Sequence, residues 1–173
     1  MSWKSKQRYV NPRTGQLKVN MLSKDSCPLP KRHRNMKSFK NSFGGVNYFE
    51  YDFRGFFIVI DIKYAFNHFT NNTYKDNREH LNATLLSTLT EPLIVIHSLY
   101  EREKTLTFYK PFKSSQEIEH MVMFKLYKQE NNKYYFKTIY KQDSLGKIQK
   151  IIETSDENTV YFKYEDFAEG NGS

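Results

Sequence analysis

The residue pattern predicts an α+β fold: N-terminal helices packed on a small twisted antiparallel sheet of about four strands. Three observations predict it. Apolar residues recur at helical spacing before residue 92 and alternate with period two after it. The alternating stretches are separated by short polar linkers of hairpin size. The chain has 173 residues with 14 Phe and 13 Tyr, enough aromatic mass to fill one core in a chain near the size of one domain.

Residues 1–45 come first and lack periodic apolar spacing. They carry Pro12, Gly15, Pro28, Pro30, Gly44 and Gly45 with many Ser and Asn, which reads as a basic arm, partly or wholly unfolded on its own. Residues 46–152 read as the folded domain. In it, Phe56–Ile60 is a short apolar run bounded by Gly55 and Asp61, which suits a buried strand. Asp61 is a natural N-cap. Ile62, Ala65, Phe66 and Phe69 then fall at i, i+3, i+4 and i+7, one helical face. A second, weaker helical pattern holds Leu81, Leu85, Leu86 and Leu89 and closes before Glu91-Pro92. Strands follow at 93–96, around Leu106 and Phe108, around Val122 to Leu126, and around Tyr134 to Tyr140. Thr159–Tyr164 offers a last strand within an acidic C-terminal segment, residues 153–173.

The net charge of +8 is unevenly placed. Residues 1–45 hold eleven Lys and Arg and one acid, Asp25, whereas the remainder is slightly acidic. A basic arm ahead of a near-neutral body is a footprint of nucleic-acid binding through phosphate neutralisation, with Lys31, Arg32 and Arg34 at its densest point. The same composition also suits a solvated tail. No stretch approaches 18 apolar residues and no apolar run follows the first residues, so neither a membrane span nor a secretory leader is expected, and the expected location is cytoplasmic. Cys27 is the single cysteine and no His-Glu-x-x-His spacing occurs, so neither a metal site nor a cofactor is expected. Phosphate-binding glycine loops and nucleophile elbows are also lacking.

Among residues that carry chemistry, His68 lies on the first helix roughly 110° from the centre of its apolar face, sharing a flank with Tyr64. A histidine beside a core can exchange protons near neutral pH, and an ordinary boundary histidine has the same placement. Arg78 and His80 lie in a polar stretch between the helices. On a strand, Thr138 and Tyr140 point to one face and Lys137 and Lys141 to the other, with Lys110 and Lys125 on neighbouring strands. Lysines there stabilise a phosphorane-like charge, or simply face solvent.

Four tracts carry a resemblance: Ile-Asp-Ile-Lys-Tyr-Ala-Phe-Asn-His-Phe (60–69), Leu-Thr-Glu-Pro-Leu-Ile-Val-Ile (89–96), Thr-Leu-Thr-Phe-Tyr-Lys (105–110) and Phe-Lys-Thr-Ile-Tyr-Lys (136–141). In order and spacing they resemble the phage-type branch of the barnase–EndoU–colicin–RelE nuclease superfamily, over about half the chain. The resemblance implies metal-independent RNA cleavage by attack of the ribose 2′-OH on the adjacent phosphate, in a toxin-like or phage-associated protein. It implies His68 as the proton-transfer residue, Thr138 and Tyr140 on the scissile phosphate, and Lys137 or Lys110 as the charge. Lys125, Lys110, His80, Arg78, Lys31, Arg32 and Arg34 are then the expected RNA contacts. This chain departs from relatives that carry two histidines near the first helix; here His68 is followed by Phe69. Expected partners are RNA and a cognate antitoxin or host protein. Two other classes of function suit the same residues: a non-catalytic nucleic-acid-binding module, and a phage or mobile-element protein that inhibits a host factor by direct contact.

Overall fold

The computed structural model describes residues 8–9, 11, 13–14, 16, 18–70, 78–100, 103–114, 117–128, 132–141 and 160–162. For residues 19, 23, 98–100, 103, 117–128, 140–141 and 160–162 only the backbone is described. The elements run α1 (Val19–Lys24), β1 (Cys27–Pro28), α2 (Met36–Ser42), β2 (Tyr48–Phe53), β3 (Phe56–Asp61) and α3 (Ile62–Thr70). A 3-10 helix (Glu79–Thr84) leads into α4 (Leu85–Thr90), followed by β4 (Ile94–Tyr100), β5 (Glu103–Ser114), β6 (Glu117–Lys128), β7 (Lys133–Lys141) and β8 (Val160–Phe162). The fold is α+β.

The alternating half of the sequence forms the antiparallel series that its period predicts: β4 pairs with β5, β5 with β6, and β6 with β7. The sheet is larger than the expected four strands. Its order is β2-β3-β7-β6-β5-β4-β8, with the two-residue β1 pairing in parallel with β5 at Phe112 and Lys113. The β2–β3 hairpin accounts for half of the excess, β1 and β8 for the rest. It turns through Arg54 (φ 51°) and Gly55 (φ 91°), the two positive-φ positions that a tight hairpin loop of this hand needs. β3 then docks parallel to β7, a pairing between residues 76 positions apart (Phe57 with Lys133) that no local pattern announces.

The main core lies between the sheet and the helices. Ile58, Ile60, Val95, Leu106, Phe108, Tyr134, Phe136 and Ile139 from the strands meet Phe39, Ile62, Ala65, Phe69, Leu81, Leu85 and Leu89 from the helical layer. α3 buries Ile62, Ala65 and Phe69, and Phe66 is half-buried against Phe39, its ring centroid 5.3 Å away. Asp61 caps α3 as expected, its Oδ1 accepting the Tyr64 N–H at 3.1 Å.

The arm, expected to be partly or wholly unfolded on its own, packs against the fold at several of its described residues. Tyr9, Leu22, Phe39 and Phe43 are buried. Asp25 accepts hydrogen bonds from Arg8 and from the Tyr9 hydroxyl, all at 3.0–3.1 Å. Asn82, itself buried, clamps the backbone of His33: its Oδ1 accepts the His33 N–H at 2.7 Å and its Nδ2 donates to the His33 carbonyl at 2.8 Å. A few widely spaced aromatic and aliphatic anchors suffice here, because each buries a large area. Their spacing is too sparse to show as periodicity. Among the described residues no helix is long and apolar enough to cross a membrane.

Candidate functional site

The site forms where α3, the residue preceding the 3-10 helix, and β7 meet. His68 is on the last turn of α3 and is 7% exposed. Its Nε2 lies 2.9 Å from Thr138 Oγ1 and 3.1 Å from Arg78 Nη1. The backbone N–H of Ile139 also points to it at 3.3 Å. The guanidinium and the amide can only donate, so Nε2 is assigned as the acceptor and the ring proton to Nδ1. Arg78 Nη1 additionally donates to the Ile139 carbonyl at 3.0 Å, which satisfies the oxygen that also lies 3.3 Å from Nε2. A neutral imidazole with its lone pair beside a hydroxyl and a guanidinium can take a proton and stabilise the charge that results.

Two aromatic rings hold the imidazole in place. Tyr64, one turn earlier on α3, stacks on it at 6.3 Å with 22° between the planes. Phe136 meets it edge-on at 5.9 Å and 87°. The Tyr64 hydroxyl donates to the Lys137 carbonyl at 2.9 Å, tying the helix to the strand. Tyr64 and Lys137 are exposed and Thr138 and Arg78 are half-buried, so the buried ring has a polar, partly open rim.

A β-bulge shapes the strand side. Phe124 pairs with Thr138 and Lys125 with Phe136, leaving Lys137 as the extra residue. The bulge shifts the alternation by one, so Phe136 and Ile139 are both buried while Lys137 is exposed and Thr138 half-buried. Simple alternation, with Thr138 opposite Lys137 and on the face of Phe136, is therefore corrected at this point. Bulges re-aim side chains in this way and recur beside active sites.

The expected residues divide as follows. His68, Thr138 and Arg78 converge. Lys137 borders them through its backbone and an exposed side chain. His68 is buried where the helical pattern placed it beside the core. Lys110 is corrected: it is 6% exposed, and its Nζ donates to the Glu91 carbonyl at 2.7 Å with the Glu91 carboxylate at 3.6 Å. It lies in the mid-sheet strand β5, where residues 105–112 are all buried, and its ammonium tethers the end of α4. His80 is half-buried in the 3-10 helix. Lys31, Arg32 and Arg34 are exposed on the segment held by Asn82, and Arg32 pairs with Glu79, next to Arg78, at 3.3 Å. The side chains of Tyr140 and Lys125 lie outside the described residues. Tyr64 is the contributor that residue type alone did not single out; its position four residues before His68 was the available signal.

Comparison with protein-family models, with curated proteins and with solved structures finds no match.

Proposed function

We propose that this chain cleaves single-stranded RNA without a metal ion, at the His68–Thr138–Arg78 cluster. The observation that carries the reading is the meeting of a hydroxyl and a guanidinium, from two separate segments, within 3.1 Å of one imidazole nitrogen. In the proposed reaction His68 Nε2 takes the proton of a ribose 2′-OH. O2′ forms a bond to the adjacent phosphorus, and the bond from phosphorus to O5′ breaks. Arg78 stabilises the extra negative charge that develops on the phosphate oxygens in the transition state, and Thr138 orients the phosphate. The departing O5′ takes a proton from Lys137 or water. The products are a 2′,3′-cyclic phosphate and a 5′-hydroxyl end. Cytoplasmic action on RNA and control by an antitoxin or host protein belong to the same proposal.

A second reading has its own support. His68 is 7% exposed and its Nε2 is already engaged, which suits a non-catalytic module that binds RNA on the rim. One experiment separates the two. A single-stranded RNA oligomer is incubated with the protein in EDTA, beside the same oligomer carrying 2′-deoxy sugars throughout. Cleavage of the first alone, with cyclic phosphate ends, is expected. Binding of RNA with no cleavage would replace the nuclease reading by the binding module.

A further inference from the structure

On the other flank of α3 lies a half-open concavity of about 390 Å³. Met36 and Lys40 of α2, Tyr48 at the start of β2, and Asp61, Ile62 and Lys63 at the start of α3 line it. Local chain geometry builds it. α2 ends with Gly44 (φ 83°) and Gly45 (φ 75°), whose N–H groups bond to the Asn41 and Lys40 carbonyls at 3.0 Å. This left-handed cap needs glycine and turns the chain back on itself. The returning segment is pinned twice: Ile62 N–H donates to the Asn47 carbonyl at 3.0 Å, and Lys40 Nζ donates to Asn47 Oδ1 at 2.7 Å.

The lining has a mixed chemistry. Tyr48 is 61% exposed, the most exposed of the large hydrophobic side chains among the described residues. Met36 and Ile62 add apolar surface beside it. Lys40 is hydrogen-bonded to a neutral amide, so that contact leaves its charge uncompensated, and Lys63 is exposed nearby. Asp61 is the single acid of the lining, and one of its oxygens is taken by the Tyr64 N–H. An exposed ring next to two ammonium groups suits a ligand that joins an aromatic face to a phosphate. The volume falls within the range of roughly 300–1,000 Å³ typical of small-ligand sites.

We propose that this concavity seats one unpaired nucleotide of a single-stranded RNA, its base on Tyr48 and its phosphate between Lys40 and Lys63. The proposal rests on the reading of RNA as the ligand, but it needs no cleavage at His68. Lys63 and His68 lie five residues apart on one helix, about 8 Å along its axis and on different sides of it. A strand that crosses the exposed first turn of α3, over Lys63 and Tyr64, reaches both places.

The test uses the full-length chain and a fluorescently labelled eight-nucleotide single-stranded RNA, with binding followed by anisotropy in a His68→Gln background that prevents cleavage. Tyr48→Ala is expected to weaken binding by about ten-fold or more, the size of one lost stacking contact. Lys63→Glu is expected to weaken it strongly at low salt and little at high salt. Both side chains are exposed, so the variants keep the fold, and circular dichroism checks this. Duplex RNA of the same sequence is expected to bind without dependence on Tyr48, since its bases are already stacked. RNA binding that ignores both substitutions would overturn the subsite, as would absence of RNA binding altogether. A free nucleoside monophosphate that competes as tightly as the oligomer would overturn it too, in favour of a free-nucleotide pocket. The wild-type cleavage assay is separate. Tyr48-dependent binding without cleavage keeps the subsite and removes the nuclease; cleavage with Tyr48-independent binding does the reverse.

Discussion

His68 on α3 and Lys110 on β5 are 7% and 6% exposed, yet their surroundings differ in kind. The imidazole has a half-buried hydroxyl, a half-buried guanidinium and a buried backbone amide on one nitrogen. The ammonium of Lys110 is closed off by the Glu91 carbonyl and carboxylate beneath the end of α4. Both residue types were candidates for contact with RNA. Burial alone does not separate them; the number and reach of their partners does. A group whose partners can exchange for substrate atoms is a candidate for chemistry. A group that closes a helix end against a sheet is a tether.

The largest effect expected concerns the layer that supports both residues. Phe39 packs on the rings of Phe43, Phe66 and Phe69, so Phe39→Ala should cost about 3–5 kcal/mol. Urea unfolding measures this. A loss well under 1 kcal/mol would show that residues 31–43 are dispensable to the fold, as an unfolded arm would be.

Next comes the contrast itself. Arg78→Ala should lower RNA cleavage by about 10²–10³-fold, the usual cost of removing one charge-stabilising donor. Lys110→Met should leave the rate per folded molecule unchanged. Equal losses from the two variants, measured in single-turnover assays, would erase the distinction between site and tether. The counterpart in stability is smaller. Lys110→Met should cost about 1–3 kcal/mol, because the Glu91 carbonyl loses its donor. The ion pair adds little, since the Glu91 carboxylate is largely exposed.

Much of this arrangement was legible beforehand, for physical reasons. The period-two strands from 93 to 141 and the helical face of Ile62, Ala65 and Phe69 are local signals, and they formed where they were expected. The hydrophobic alternation of Phe49, Tyr51 and Phe53 could have announced β2. The parallel docking of β3 on β7 and the antiparallel docking of β8 on β4 could not be read locally. The sheet therefore grew from about four strands to eight. The bulge at Lys137 was hidden for the same reason: it is a mismatch between β6 and β7, and neither strand shows it alone. Lys110 reads as a surface lysine until Glu91 is placed above it. Tyr9, Leu22, Phe39 and Phe43 were masked by the cations around them.

The smallest effect is a pH dependence of stability away from the site. His97 is half-buried, its Nε2 3.1 Å from the Tyr134 hydroxyl. Burial, and then the Lys104 cation, hold its pKa below the ordinary histidine value. Burial does the same for His33. The unfolded chain then binds more protons than the folded one as the pH falls below about 6.5. Stability should be fully present above that value and decline as the pH drops through it. His97→Gln should flatten part of the decline in melting temperature; an unchanged slope would show that His97 does not contribute.

The account stands most directly on the role of His68, and one measurement addresses it. Single-turnover cleavage of a single-stranded RNA oligomer is followed in EDTA for the wild type and for His68→Gln, a variant that keeps a polar side chain of similar bulk but cannot act as a base. Folding of the variant is verified by circular dichroism, because the ring it replaces is buried. The account predicts a loss of about 10²–10⁴ in rate, with RNA binding retained. Equal rates for the two folded proteins would contradict it.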